Sequence, residues 1–253
     1  MRLSKLLTDR LSPRAMMRRW AIARTGRTVQ AGPFRGMQYI DQAFGSAYLP
    51  KVLGTYEREL YPALEQVFDG DYDTLIDIGV AEGYFAVGMA SRTRARVVGY
   101  ECDASASAMA LELAKLNNVG DRLEMRGECT PAELDTLIAS SRRPFLLCDV
   151  DGYETTLLDP KQVASLARCA MLVELHEFAR PGVTAEFLRR FEPTHEIEVL
   201  WQTPRTAADF PYEGFWTRVL PSRYRRHMVD ELRPFEQAWM WMTPRAAQAS
   251  AAA

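Results

Sequence analysis

The chain has 253 residues, 47% of them hydrophobic and 25% charged, with a formal net charge of −2. That length suits one sizeable α/β core and is marginal for two domains. The composition is that of a soluble globular protein, and the near-neutral charge excludes a global field that would favour nucleic acid or a membrane surface.

Residues 1–28 carry Arg2, Lys5, Arg10, Arg14, Arg18, Arg19, Arg24 and Arg27 against one acid, Asp9, with Leu3, Leu6, Leu7, Leu11, Met16, Met17 and Trp20 interleaved. The pattern fits a basic amphipathic helix that touches a membrane surface or an acidic partner. It fits equally a solvated helix that caps the core. Residues 1–47 are therefore expected to form a basic N-terminal extension, 48–244 the main domain, and 245–253 a disordered tail with too little apolar bulk to pack. The N-terminus lacks the continuous apolar stretch and cleavage site of a secretory signal, and no run approaches the length of a membrane span. Cys102, Cys129, Cys148 and Cys169 form no CxxC pair and read as the reduced cysteines of a cytoplasmic protein.

Residues 48–70 read as one helix leading into the core, with Pro50 near its start and Gly70 near its stop. Beyond it, TLIDI (74–78), RVVGY (96–100), RLEMR (122–126), PFLLCDV (144–150), MLVEL (171–175) and EIEVLW (196–201) read as strands. Between them, 83–92, 104–117, 131–140, 160–168 and 182–191 read as helices. Alternation at this spacing predicts a Rossmann-like, doubly wound α/β fold with a mostly parallel sheet. GFWTRVL (214–220) is a candidate last, antiparallel strand, and Phe235, Trp239 and Trp241 are expected to pack on the sheet.

Asp77-Ile78-Gly79-Val80-Ala81-Glu82-Gly83 follows a buried strand and opens a helix. Glycines there let a nucleoside or carboxylate approach the backbone, and Asp77 at the strand end can hydrogen-bond such a ligand. Glu101 ends the next strand, where a doubly wound fold places the acid that accepts both ribose hydroxyls. The loop is neither GxxxxGK[ST] nor GxGxxG, and Glu82 would meet a pyrophosphate with like charge. A ligand without phosphate, such as S-adenosylmethionine, fits better, because its ammonium and sulfonium centres welcome carboxylates. Gly88 on the following helix is expected to permit close packing on the sheet.

IDIGVAEGYFAVGMA, VVGYECD, FLLCDVDGYETTLLDP and MLVELHEF together resemble the FkbM-type class I methyltransferases over roughly residues 50–180. The resemblance implies a seven-stranded sheet of order 3-2-1-4-5-7-6 with strand 7 antiparallel. It also implies that Gly79 and Gly83 flank the methionine part of the cofactor, that Glu101 holds the ribose, and that Glu128 approaches the adenine edge. Glu128 read alone is equally a plain loop acid. Two departures stand out: residue 82 is Glu where that family often has Asn, and residue 151 is Asp where it usually has Glu.

Asp149, a candidate cofactor contact, Asp151 and Glu154 follow the fourth strand, and Glu174 and His176 end the fifth, so these groups should converge at the carboxyl edge of the sheet. Three readings compete. His176 can act as general base, oriented by Glu174 or Asp151. Asp149, Asp151 and Glu174, with or without His176, can bind a divalent cation. Or the acids cap helices and anchor loops, with Asp151-Gly152-Tyr153-Glu154 as a turn and cap. His195 reads as a loop residue, and His227 among Arg223, Arg225 and Arg226 as part of a solvated face or an anion contact. Tyr56 and Glu57 either cover the cofactor or pack in a helix. The expected function is methyl transfer from S-adenosylmethionine to oxygen of a small-molecule or glycan-like acceptor. The alternatives are a NAD or nucleotide-sugar enzyme on a related fold, and a catalytically silent binding module.

Overall fold

The computed structural model of the protein describes residues 13–212, 221–233 and 237–245. The first 12 residues of the basic stretch, the GFWTRVL run, Phe235 and residues 246–253 of the expected tail lie outside the described residues.

The elements follow in chain order. Helix α1 (Pro13–Thr25) leads through a turn-rich segment to α2 (Tyr48–Leu53), a 3₁₀ turn (Arg58–Leu60) and α3 (Tyr61–Asp69). Then come β1 (Thr74–Ile78), α4 (Tyr84–Arg92), β2 (Arg96–Tyr100), α5 (Ala104–Leu116), β3 (Leu123–Arg126), α6 (Pro131–Ser140) and β4 (Pro144–Cys148). The second half holds α7 (Glu154–Leu157), a 3₁₀ turn (Ala164–Arg168), β5 (Ala170–Leu175), α8 (Val183–Phe191), β6 (His195–Trp201), α9 (Ser222–Val229) and β7 (Ala238–Pro244).

Among the described residues the strands form one seven-stranded sheet in the order β3-β2-β1-β4-β5-β7-β6. The pairs from β3 through β5 are parallel, and β7 runs antiparallel to both β5 and β6. This is the Rossmann-like sheet that the β/α alternation predicts. Every residue of β1, β4 and β5 is buried, as strands covered on both faces must be. The period of two divides their side chains between two cores. Leu75, Val97, Phe145, Leu172, Trp239 and Trp241 meet α4 on one face, while Ile76, Val98, Leu146, Met171, Met240 and Met242 lie on the other.

Four expectations are corrected. The antiparallel strand β7 is built from the tryptophan-rich stretch itself: Trp239 and Trp241 serve one core and Met240 and Met242 the other, so the run does not pack on the sheet but completes it. The helix expected over 48–70 breaks at Gly54, which takes a left-handed φ of 73° and caps α2. A Cβ there would stand 2.0 Å from the Ala31 carbonyl oxygen, so the close approach requires glycine. The helix expected over 160–168 is reduced to a 3₁₀ turn at Ala164–Arg168. His195, expected in a loop, is the first residue of β6, fully buried, with Nε2 3.0 Å from the Cys169 carbonyl oxygen.

The boundary expected before residue 48 coincides with no gap in packing. Val29, Phe34, Met37 and Tyr39 belong to the same core as Leu75 and Val97. Phe34 meets Tyr84 edge to face with centroids 5.2 Å apart, and it occupies the space beside Gly88, so that glycine admits the N-terminal segment and not, as expected, the sheet.

Candidate active site

A cavity of about 670 Å³ opens at the carboxyl edge of the sheet, between the ends of β1, β2, β4 and β5. Gly79 forms its floor with φ of 88°. A Cβ at that position would lie 1.7 Å from the carbonyl oxygen of Asp149, because the Asp149 amide donates to the Ile78 carbonyl at 2.9 Å and draws the two strand ends together. Only glycine fits this crossing. Gly83, at φ of 96°, is the N-cap of α4 and is buried against Ala110 of α5, off the cavity wall it was expected to line.

Glu101 half-faces the cavity and braces the loop. Its Oε2 accepts from the Ala81 amide at 2.8 Å, and Oε1 accepts from the Asp103 amide at 2.8 Å. Each oxygen keeps a further acceptor site for a ligand hydroxyl. Glu128 is exposed on the same wall. Asp77 is placed differently: it shares the sheet face of Leu75, is 1% exposed, and is not on the cavity wall. Burial, and then the charges of Asp149 and Glu101, push its carboxyl up to about 8.

Glu82 corrects the argument that it would repel a pyrophosphate. Its side chain turns from the cavity into the N-terminal segment, where it is completely buried. There it pairs with Lys51 and accepts from the Tyr39 hydroxyl and, at 3.1 Å, from the Phe44 amide. Burial alone would raise the Glu82 pKa, but the Lys51 charge and hydrogen bond, with Tyr39, hold it below its ordinary value. The case against phosphate rests instead on the wall. Glu101, Glu128, Asp149, Asp151, Glu174 and Glu231 line it, against two ion-paired cations, Lys51 and Arg233.

His176 sits just beyond β5, 2% exposed, with its ring edge to face against Phe178. Nδ1 is 2.7 Å from Glu154 Oε1. The orienting carboxylate is therefore Glu154, where Glu174 or Asp151 was expected. The reason is the loop after β4: Asp151 and Gly152 take φ of 48° and 105°, folding the chain so that Glu154 points back beneath the histidine. The same Oε1 accepts from the Gly152 amide at 3.1 Å, so Glu154 both anchors the turn and holds the imidazole. With Nδ1–H donated to Glu154, Nε2 faces Asp149 and Asp151, at 3.5 and 3.4 Å from their Oδ1 atoms. Burial works against charge on His176, but the Glu154 hydrogen bond and the charges of Asp149, Glu154 and Asp151 outweigh it and raise its pKa. Donor atoms of Asp149, Asp151 and His176 also lie within 4.8 Å of one another, close enough to share a metal ion.

Glu174 is buried on the cavity wall, hydrogen-bonds Asp149 and also joins a second network. It stands 3.9 Å from His176 Nε2 and binds Arg233, which also holds Glu57 and, at 3.2 Å, Glu231. Arg205 joins Glu231 to Glu59. Burial, and then the Asp149 charge, raise the Glu174 pKa well above the usual range. Tyr56 lies on the wall with its ring 4.8 Å from Lys51 Nζ, and Glu57 is buried behind it.

Lys51 and Arg233 carried no signal at the sequence level, since each lies far along the chain from the loop it serves. The run Asp151-Gly152-Tyr153-Glu154 did signal a turn, but not that its last carboxylate would reach the histidine. All four cysteines are free, with Cys102 exposed and the others buried. No helix among the described residues is long and apolar enough to cross a membrane.

No protein-family description matches the chain, and no curated protein matches it. Solved structures do. One is the O-methyltransferase TomG from Streptomyces achromogenes, involved in tomaymycin synthesis and in complex with SAM: 13% identity, 73% of this chain and 78% of that chain covered, TM-score 0.46. Another is an O-methyltransferase from Bacillus cereus in complex with SAH, at 13% identity, 95% and 96% coverage and TM-score 0.47. A third is an rRNA methylase from Streptococcus thermophilus, at 10% identity, 76% and 99% coverage and TM-score 0.48. At such identities and scores these likenesses carry no reaction or substrate over to this chain.

Proposed function

We propose that the chain is an S-adenosylmethionine-dependent methyltransferase that modifies an oxygen of a small-molecule or glycan-like acceptor. The observation that carries the reading is the joint placement, in one cavity, of the Gly79 floor with Glu101 on one side and the His176–Glu154 pair on the other. The residues present fit the cofactor. Gly79 leaves the cavity floor free of a side chain, the Glu101 carboxylate suits ribose hydroxyls, Glu128 suits the adenine edge, and the acidic wall suits a cation without phosphate. When bound, S-adenosylmethionine supplies an electrophilic methyl group on a sulfonium.

The protein's own part is positioning and proton transfer. Glu154 fixes the His176 tautomer, so that Nε2 faces the cavity and accepts the acceptor's hydroxyl proton. Asp149 and Asp151 stabilise the imidazolium that results, at the distances given above. Arg233 holds the Glu174 carboxyl in place on the wall. The setting is cytoplasmic, with free thiols.

A second reading is favoured by one observation, the convergence of Asp149, Asp151 and His176 donor atoms. There a divalent cation would replace the imidazole proton and lower the pKa of the acceptor hydroxyl. Calorimetry with S-adenosylmethionine, S-adenosylhomocysteine and NAD tests the main reading. Micromolar-range binding of the first two, on the order of 7–8 kcal/mol, and none of NAD is expected. No binding of either at millimolar concentration by folded protein would overturn it. A rise in melting temperature with millimolar Mg²⁺ or Mn²⁺, lost in Asp151→Asn, would favour the metal reading.

A further inference from the structure

We infer that Lys51 binds the α-carboxylate at the amino-acid end of the cofactor, an inference that rests on the cofactor reading above. The cavity wall is acidic at the β2, β4 and β5 ends, with Glu101, Asp149, Asp151 and Glu174, and it also carries Glu128 after β3 and Glu231 beside Arg233. A positive pole lies where α4 begins. There Tyr84 and Phe85, the first two residues of that helix, line the wall, and the helix N-terminus contributes a positive potential. Lys51 lies at this pole. Its side chain is 5% exposed and paired with Glu82, the residue just before the N-cap Gly83, and it is on the cavity wall.

The surroundings of Lys51 direct its side chain. Nζ stands 4.8 Å from the Tyr56 ring centroid and 5.4 Å from that of Tyr84, and these faces stabilise a cation without consuming an N–H directionally. Glu82 is shared: it also accepts from Tyr39 and from the Phe44 amide, so it is not a partner for Lys51 alone. An ammonium has three donors, and one carboxylate oxygen of Glu82 takes one of them. Arg233, the other permanent cation on the wall, is held by Glu57, Glu174 and Glu231. Lys51 is thus the cationic side chain placed to receive an anion in an otherwise acidic cavity.

A zwitterionic amino acid has both charges to satisfy, and this cavity offers both, with Lys51 as its cation. The ammonium suits the acids at the β4 end, and the carboxylate suits Lys51 and the start of α4. Glu82 gains a reason to be acidic as well. It holds Lys51 at the glycine loop and keeps the cation's desolvation compensated when no ligand is present.

The test compares two ligands within each protein. S-adenosylhomocysteine and its decarboxylated analogue, 5′-S-(3-aminopropyl)thioadenosine, differ by the carboxylate alone. By calorimetry, the parent protein is expected to bind the first about 10–100-fold more tightly. In Lys51→Met that preference is expected to fall to within about threefold of unity, through weaker binding of S-adenosylhomocysteine, with the analogue little changed. Removing one partner of a buried pair destabilises the fold, so the double variant K51M/E82Q, which removes both charges, is measured alongside. The ratio cancels any unfolded fraction. An unchanged preference in both variants overturns the role of Lys51 while leaving the cofactor reading intact. Failure of the parent to bind either ligand overturns both.

Discussion

Glu154 and His176, 22 residues apart in the chain, meet with Oε1 and Nδ1 2.7 Å apart, both buried. The contact joins the loop after β4 to the end of β5 and fixes which ring nitrogen faces the cavity. It also raises the imidazole pKa, against the effect of burial.

Glu154→Gln should therefore move the His176 titration to lower pH, because the variant loses the negative charge while retaining an acceptor for Nδ1–H. Imidazole NMR resonances report this without any substrate. His195 serves as the internal control, since it is held by Thr194 and the Cys169 carbonyl and does not contact Glu154. A His176 titration that does not move would mean that its charge state is set elsewhere in the acidic cluster. Glu154 itself is held below its ordinary value, chiefly by the His176 and Gly152 hydrogen bonds working against burial. Its contribution to stability is thus present above the unfolded carboxyl value and lost as pH falls through the folded one.

Gly79→Ala should be severely damaging. The new Cβ would meet the Asp149 carbonyl oxygen at 1.7 Å while the backbone holds φ at 88°. Overpacking costs about 1–3 kcal/mol and a left-handed non-glycine residue about 1–2 more, so a loss of roughly 2–5 kcal/mol is expected in urea unfolding. Gly127→Ala is the control, since its Cβ would meet nothing within 4 Å. Equal stability of the two variants would contradict the β1–β4 crossing.

Glu101→Ala should weaken S-adenosylhomocysteine binding by more than it weakens folding. The carboxylate accepts from the Ala81 and Asp103 amides, both at solvent-accessible turns where water can substitute. Hydrogen bonds to a ribose are charge-assisted and worth about 1.5–3 kcal/mol each. Calorimetry and thermal unfolding of the same sample separate the two effects. Unaltered affinity would remove Glu101 from the ribose site.

Much of this site is legible in the sequence because its signals are local. A buried strand followed by DxGxxxG fixes the β1–α4 turn, and an acid ending β2 falls beside it because parallel strands in register bring their carboxyl ends to one edge. What depends on chain reversal is not legible. The positive φ values at Asp151 and Gly152 decide that Glu154, rather than Asp151 or Glu174, reaches His176. Glu82 looks like a cavity acid in sequence, yet it turns toward Lys51, which a helix broken at Gly54 delivers. The Trp239–Trp241 run carries the two-faced apolar signal of a buried strand, but its lack of alternation made helix, strand and packing segment indistinguishable by period.

Asp77 provides the clearest dependence of stability on pH. Its carboxyl is 1% exposed beneath α4, and burial with the nearby Asp149 and Glu101 charges raises its pKa from 3.8 to about 8. The folded state thus holds a proton that the unfolded chain releases at lower pH. In the linkage relation the folded protein then binds more protons between the two values, so stability falls as pH rises. The contribution is fully present below the unfolded value of 3.8 and is lost as pH approaches and passes about 8. Asp77→Asn keeps the shape and cannot ionise. Parent and variant should be close in stability near pH 4, and the variant should gain on the parent toward pH 8, by an amount on the order of a few kcal/mol. The difference between the two proteins isolates Asp77, because contributions from His176, Glu174 and Glu231 enter both curves. Urea unfolding at several pH values measures it. A gap independent of pH would show that Asp77 is ionised in the folded protein across this range, and that a donor stabilises its charge beneath α4.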